Sequence, residues 1–500
     1  MRRRDWGARN NRLQIGVSLV FVLCTISSSA GSPPQCLPSS NIFAFLHVNI
    51  IPMNREVVLP DQTLIVCDGR IATVGPAEIV PIPPSAQRID GSGKYLIPGL
   101  TDAHVHLLSP IEFRLYLANG ITTVFNLDGR PAHLRWRKEI AAGTRLGPTI
   151  FTSGPIFDQA RSSGEDIRLV DEQAEAGYDA IKVYNRISNE EYPALIAEAK
   201  RRKLLLMGHV ARGPGIERTL QAGQSIAHLE EFLYTYFNPR RDDHNSHIVF
   251  DETKIAVVAK KTAEAGIYVI PTLNMYVTIV EQATELNSFL RNPNLKYMAP
   301  WTLGQYQPDT NLYQKNFPPS LHLWLRKSLA FQRKLVKALF DAGVPLLAGT
   351  DATEVGPLAG FGLHDELQEL VRDGLTPFQA LQTATTNSSR YFGQESEFGT
   401  LQPGRGADLV LLAQNPLANI ENTRTIAGVM VHGRWLSHAV LEENLNQVPA
   451  LYQRDIVEVE HDLETNAKKA KRFLEENDPF DRLGVAAKRA STNRRRPESR

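Results

Sequence analysis

Cysteine is scarce: the chain has three in 500 residues. That excludes a disulfide-rich scaffold and a cysteine-based zinc knuckle. Cys24 lies in an N-terminal apolar run, which leaves Cys36 and Cys67, whose proximity no sequence can show. Net charge is lacking too. Lys and Arg number 55 against 54 Asp and Glu, a formal charge of +1. A nucleic-acid partner would want a basic face, so none is expected. The apolar run Leu13–Ile26 is shorter than the ~20 residues of a membrane-spanning helix. There is no internal repeat. What remains is ordinary globular composition, 42% hydrophobic and 22% charged, with length for two or three domains.

The N-terminus departs from this texture. Arg2, Arg3 and Arg4 precede the apolar run, and the small residues Ser28 and Ala30 follow it. A basic start, a short apolar middle and a small-residue exit match a secretory signal peptide over residues 1–30. No lipoprotein cleavage box precedes Cys24 or Cys36. The chain is therefore expected to be exported, periplasmic or extracellular. The alternative is a membrane anchor, if the segment stays uncleaved.

Residues 41–95 are rich in Ile, Val and Phe, with turn signals at Pro60-Asp61 and Asp68-Gly69, and read as β-structure. From 96 to 396 apolar strands alternate with charged helical stretches. Eight strand-then-helix units argue for an α/β fold, a (β/α)8 TIM barrel. Residues 397–437 return to short β-runs, so the two β-segments are expected to form one small β-sandwich domain beside the barrel. Residues 438–500 read as an appended helix followed by a basic disordered tail. The long stretch from Val277 to Leu325, with Tyr297, Trp301 and Trp324, should carry helices of its own and is a candidate lid.

The most informative stretch is "YLIPGLTDAHVHLL", Tyr95 to Leu108. Residues i and i+2 of a strand share a face, so His104 and His106 project together. Neutral imidazoles suit zinc and its neighbours. Further ligand-type residues fall at later strand ends: Lys182 in "DAIKVY", His209 in "LLLMGH", His228 in "SIAH" and Asp351 in "PLLAGTD". In a (β/α)8 barrel these ends share one mouth. Each residue alone has a dull explanation, such as a core histidine; together they point to a metal centre. Tyr184 lies two residues beyond Lys182 and should face the same mouth, as a substrate contact or as packing.

The motif "IPGLTDAHVHL", the Lys, His, His and Asp in that order, and "TATTNSSRYFG…GTLQPGRGADLVLL" resemble the amidohydrolase superfamily, in particular its imidazolonepropionase- and prolidase-like hydrolases. The resemblance runs from Asn41 to Trp435. It implies a two-metal centre, with zinc the expected metal. His104, His106 and Asp351 would hold one ion, and His209 and His228 the other. Lys182 would carry a CO2-derived carbamate bridging both, because an ammonium has no lone pair to offer. A metal-bridging hydroxide would then hydrolyse an amide-type C–N bond of a small substrate, such as a dipeptide or N-acyl amino acid, with Asp351 moving the proton. The rival readings are a lactonase or esterase, a cyclic-amidine deaminase, and a catalytically silent binding relative. The partner expected is the small-molecule substrate, with a homo-oligomer left open.

Three other motifs are set aside. His244 and His247 sit in a polar loop and read as solvated. "GSGK", Gly91 to Lys94, lacks phosphate-loop spacing and reads as a turn. Asn387 is a formal glycosylation acceptor, but the resemblance puts it in a helix facing the barrel. The export reading is checked by N-terminal sequencing of mature protein. The expected first residue is Gly31, and a sequence that starts at Met1 contradicts it.

Overall fold

The computed structural model describes residues 36–37, 40–158, 163–241 and 247–465. The expected signal segment 1–30, His244 and the basic tail beyond residue 465 lie outside them.

The strands Leu100–Val105, Ile121–Asn126 and Thr149–Thr152 form one parallel sheet. Ala180–Val183, Leu205–Gly208, Ser225–Ala227 and Val269–Ile270 form a second. Single bridges link Ser153 to Ala180 and Phe157 to Val183, between the sheets. Leu346 bridges to Val269, and Ala352 bridges to Val105. The result is a TIM-barrel-like α/β fold. Every residue of Leu100–Val105 and Ile121–Asn126 is buried, polar ones included, because helices and core cover both faces. Ala103, Phe125, Ala180, Met207, Ala227, Ile270 and Leu347 meet in one cluster, closed off by Tyr391 and Phe392. On the helix Phe361–Arg372, Leu363, Leu367 and Leu370 make the buried stripe that a 3.6-residue period requires.

The eighth expected strand, before Asp351, makes bridges and no regular ladder. Pro345 has no N–H to donate. Asp351 turns the chain with φ 59°. A Cβ on Gly349 would lie 2.6 Å from Ile270 and 2.9 Å from His104, so only glycine permits this approach.

The N- and C-terminal β-segments do join, as one continuous eight-stranded sheet. Ile42–Ile50, Leu59–Cys67 and Arg70–Pro76 are antiparallel neighbours. Gln87–Asp90 and Tyr95–Pro98 lie parallel to Ile42–Ile50. Leu409–Leu412, Ile426–Val431 and Arg434–Ser437 extend the other edge. Alternation sorts the faces: Phe43 and Phe45 enter one cluster, Ile42 and Ala44 another. Asp68 and Gly69, both at positive φ, make the tight hairpin their pairing predicts. Pro60-Asp61 makes no hairpin and instead sits inside Leu59–Cys67, where the pairing register shifts. "GSGK" is a turn, with Lys94 N donating to Gly91 O at 2.9 Å. Cys36 and Cys67 are disulfide-bonded, Cα to Cα 5.5 Å.

The C-terminal helix His438–Thr465 is not an appendage. Leu441, Val448 and Tyr452 are buried in the main core. Arg114 bonds to Asn444, and Trp301 meets Tyr452 edge-on at 5.4 Å. The Val277–Leu325 stretch is helical, as expected, but its landmark aromatics pack inward. Tyr297 stacks on Phe361, and Trp324 packs near Phe250. Different residues reach the mouth: Tyr306 donates to Thr353 O at 3.0 Å, and Gln282 to Val355 O at 2.8 Å. Asn387 donates its amide to Leu346 O at 3.0 Å, which disfavours a glycan there. Because Tyr452 is 1% exposed, Tyr452→Ala should cost about 3–5 kcal/mol, the range for a buried aromatic. Urea unfolding checks this; a loss under 1 kcal/mol would make the helix peripheral.

Candidate active site

His104 lies in the strand Leu100–Val105 and His106 just after it. Lys182 lies in Ala180–Val183, while His209 and His228 each follow the last residue of a strand. All five, with Asp351, come to the same end of the fold. The rings run in a row: His106 to His104 at 5.4 Å, His104 to His228 at 4.7 Å and His228 to His209 at 4.8 Å. Asp351 Oδ1 sits 2.9 Å from His106 Nε2 and 3.1 Å from His104 Nε2. It is buried and lacks the alignment of a hydrogen bond to either ring. The Lys182 amine reaches His104 Nε2 at 3.3 Å.

His104, His106 and Asp351 thus offer three buried donor atoms within 4.8 Å of one another. Donors that converge without bonding one another fit a cation between them. Protonation favours the same use. Burial, then the charges of Lys182 and the neighbouring rings, holds His104 well below the ordinary imidazole value. Burial also lowers His209 and His228. The rings are therefore neutral and keep lone pairs. Burial alone would raise Asp351, but close His106, with His228 and Lys182, brings it to about 2.

Neighbouring groups choose the tautomers. The Thr272 hydroxyl donates to Pro271 O at 2.8 Å, so its oxygen accepts from His228 Nδ1 at 2.9 Å. That leaves His228 Nε2 as the lone-pair atom. Thr272, at φ 47°, and His228, at φ 74°, both occupy the left-handed region, a strain of about 1–3 kcal/mol each. His209 Nδ1 has two acceptors: Asn185 Oδ1 hydrogen-bonds it at 3.1 Å, and Glu231 stands beside it. Glu231 Oε1 faces His209 Nδ1 at 3.1 Å, and its Oε2 accepts from Arg212 at 2.6 Å and Val210 N at 3.0 Å. Burial opposes the Glu231 charge, yet His209 and Arg212 hold the carboxyl near 2. Asp102 anchors the strand-one end, accepting from the Thr350 hydroxyl at 2.7 Å and Thr350 N at 3.1 Å.

Tyr184 faces the site, as its spacing predicts. Its ring lies on His209, centroids 3.9 Å apart, and burial raises its phenol. His247 instead contacts Arg240 at 2.8 Å, within its own loop. Sequence reading missed Asp102, Glu231, Thr272 and Glu354. Asp102 shares the two-residue period of His104 and His106 and could have been found. Glu231 and Thr272 carry no spacing signal, since different strands bring them to their histidines. Glu354 Oε1 lies 3.6 Å from His106 Nδ1, and with Asp128 these make a second donor group. Glu230 opens a short helix after His228, and burial, with Glu231 and Asp351, pushes its carboxyl up to about 8.

The amidohydrolase family model matches residues 95–436. The chain belongs to that family. Its members are metal-dependent, and the His/Asp cluster is this chain's candidate metal site. An adenine deaminase of Paracoccus denitrificans is 23% identical over 400 residues, 76% of this chain and 56% of the relative. The chain spans about half the length of the curated relatives first matched. Among solved structures, a bottromycin amidohydrolase superposes with TM-score 0.66 at 22% identity, covering 83% of this chain and 91% of the other. A Xaa-Pro dipeptidase superposes with TM-score 0.61 at 17% identity, covering 79% and 100%. At these identities the superpositions speak for the fold alone.

Glu231→Gln should weaken metal binding roughly 10- to 100-fold, because it removes the charged acceptor beside the His209 ring, which then keeps Asn185, and leaves Arg212 without its carboxylate. Chelator competition measures this. Unchanged affinity would show that Asn185 alone orients His209.

Proposed function

We propose that this protein is a metal-dependent amidohydrolase that cleaves an amide-type C–N bond of a small substrate, such as a dipeptide or N-acyl amino acid. One observation carries the reading: the buried donor atoms of His104, His106 and Asp351 converge within 4.8 Å at the strand ends, with Lys182 3.3 Å from His104. His104, His106 and Asp351 would hold one ion and His209 and His228 a second, both expected to be zinc. Among the described residues, no carboxylate joins His209 and His228 in a tight donor set. A carbamate on Lys182 would supply that anion. Burial lowers the Lys182 amine to about 8, so a neutral fraction exists to add CO2 and release one proton. The same reading takes the parallel sheets as a closed (β/α)8 barrel, the eight-stranded sheet as its β-sandwich domain, and the protein as exported.

Bound divalent cations would supply Lewis acidity and a readily deprotonated water. This chain's residues do the rest. Thr272 keeps the lone pair of His228 pointed at the mouth, and Asn185 and Glu231 keep that of His209. Asp351, ionised, accepts a proton from the attacking water and returns it to the leaving nitrogen as the C–N bond breaks. Tyr184, against His209, is placed to donate to a substrate oxygen. The products are a carboxylate and an amine.

A second reading has support in the adenine deaminase relatives: the same attack on an amidine carbon would release ammonia. Metal-loaded protein should be screened on dipeptides, N-acyl amino acids, cyclic ureas, adenine, lactones and esters. Cleavage of an amide is expected; ammonia from adenine alone, or ester turnover alone, would replace this assignment. Elemental analysis should find two ions per chain. Asp351→Asn should lose roughly 100- to 10,000-fold in turnover, and full turnover would refute the proton role.

A further inference from the structure

The loop that follows Asp351 is held from two sides. On the strand side, Asp351 N donates to His104 O at 2.8 Å, and His106 N donates to Ala352 O at 2.6 Å. On the other side, it is held by the long stretch after the seventh strand. The Tyr306 hydroxyl donates to Thr353 O at 3.0 Å, and Gln282 Nε2 donates to Val355 O at 2.8 Å. The backbone also runs close against the helix Leu273–Phe289. A Cβ on Gly356, at φ 120°, would lie 2.5 Å from Thr278 and 2.6 Å from Gln282 Nε2, so only glycine permits this approach. Val355 packs against the apolar cluster that contains Met275, Ile279 and Leu325.

The hydrogen bonds themselves fix how each amide is turned. Asn311 Oδ1 accepts from Tyr313 N at 2.9 Å and from Gln314 N at 3.0 Å. Its Nδ2 is then the atom that meets Gln282, 2.9 Å away, so Gln282 must present its oxygen there. That leaves Gln282 Nε2 for the Val355 carbonyl. Tyr306, Gln282 and Asn311 are all buried. A buried polar relay whose members are all satisfied makes rigid what it joins. A lid must part from the mouth at small cost. Here parting would leave buried carbonyl and amide groups unpaired.

We propose that Tyr306, Gln282 and Asn311 are positioning residues: they clamp the loop 352–356 and so hold the Asp351 carboxylate at the metal cluster, which makes this stretch a brace for Asp351 and not a lid. This rests on the reading of Asp351 as metal ligand and proton carrier, but the clamp can be tested without turnover. Tyr306→Phe deletes one hydroxyl and keeps the ring edge-on to Phe289 at 5.6 Å. Gln282→Glu keeps an acceptor for Asn311 and removes the donor to Val355 O. Hydrogen exchange on the full, metal-loaded chain should find segment 352–358 protected in the wild type and about tenfold faster in both variants. Chelator competition should show metal affinity roughly 10-fold lower. With the substrate found by the screen, kcat should fall roughly 10- to 100-fold while KM stays within about threefold, because a misplaced reacting group costs turnover more than binding. Tyr276→Phe removes a buried hydroxyl that bonds to Ser328 instead of the loop, and should leave all three readouts at the wild-type level.

An unprotected loop in the wild type would overturn the proposal. So would variants that lower only the melting temperature and leave metal affinity and kcat unchanged, since that is all a merely structural role would do. An equal loss in Tyr276→Phe would overturn it too, because any lost hydroxyl in this core would then have the same effect. If Gln282→Glu fails to fold, Tyr306→Phe decides alone. Faster loop exchange and weaker metal binding, with no amide cleaved by the wild type, would uphold the clamp and overturn the reaction assignment instead.

Discussion

Everything at the mouth depends on keeping the donor atoms of His104, His106 and Asp351 buried and unbonded to one another. Imidazole nitrogens and a carboxylate oxygen would pair with water or with each other if they were free to turn. Here they are not free. His228 is fixed by Thr272, His209 by Asn185 and Glu231, and the two strands carrying His104 and Asp351 by Asp102 and Thr350. Each of these bonds uses up one polar atom and leaves its partner's other atom for the mouth. The cost appears as backbone strain at Thr272, His228 and Asp351. Such strain persists only where the surrounding structure over-determines it.

The fold is arranged to supply that over-determination. Parallel strands buried on both faces bring their ends together, and the inner cluster beneath them leaves no slack. The eighth segment gives up regular pairing so that Gly349 can pass close to His104 and Asp351 can turn back over the rings. The terminal sheet and the C-terminal helix share core with the helices around the strands, through Val410, Val429 and Tyr452. Residues remote in sequence thus hold one rigid frame.

Charge is organised with the same economy. The mouth carries more acid than free base, because Arg212 and Arg186 are each committed to a carboxylate. That suits a metal cation. A chain near neutral overall can thus hold a strongly charged cluster, because the total of +1 says nothing about local arrangement.

Much was legible from sequence because it repeats with short periods. Alternating apolar strands and amphipathic helices marked the α/β architecture, and Asp68-Gly69 marked its hairpin. His104, His106, Lys182, His209, His228 and Asp351 stood out because each lies in or just after a short strand. Local chemistry was enough for that. Contacts between distant segments were not legible, since no period records them. Glu231 meets His209 from 22 residues away, and Thr350 meets Asp102 from 248. The same limit hid which residues of the Val277–Leu325 stretch meet the site: Tyr297 packs on Phe361, Trp301 on Tyr452 and Trp324 near Phe250, while Tyr306 bonds to Thr353 O. The sequence by itself thus determined which donor atoms exist and on which strand ends they sit. Only the tertiary structure decided which way each ring turns and which charge it faces, because those depend on atoms brought together by packing across the fold.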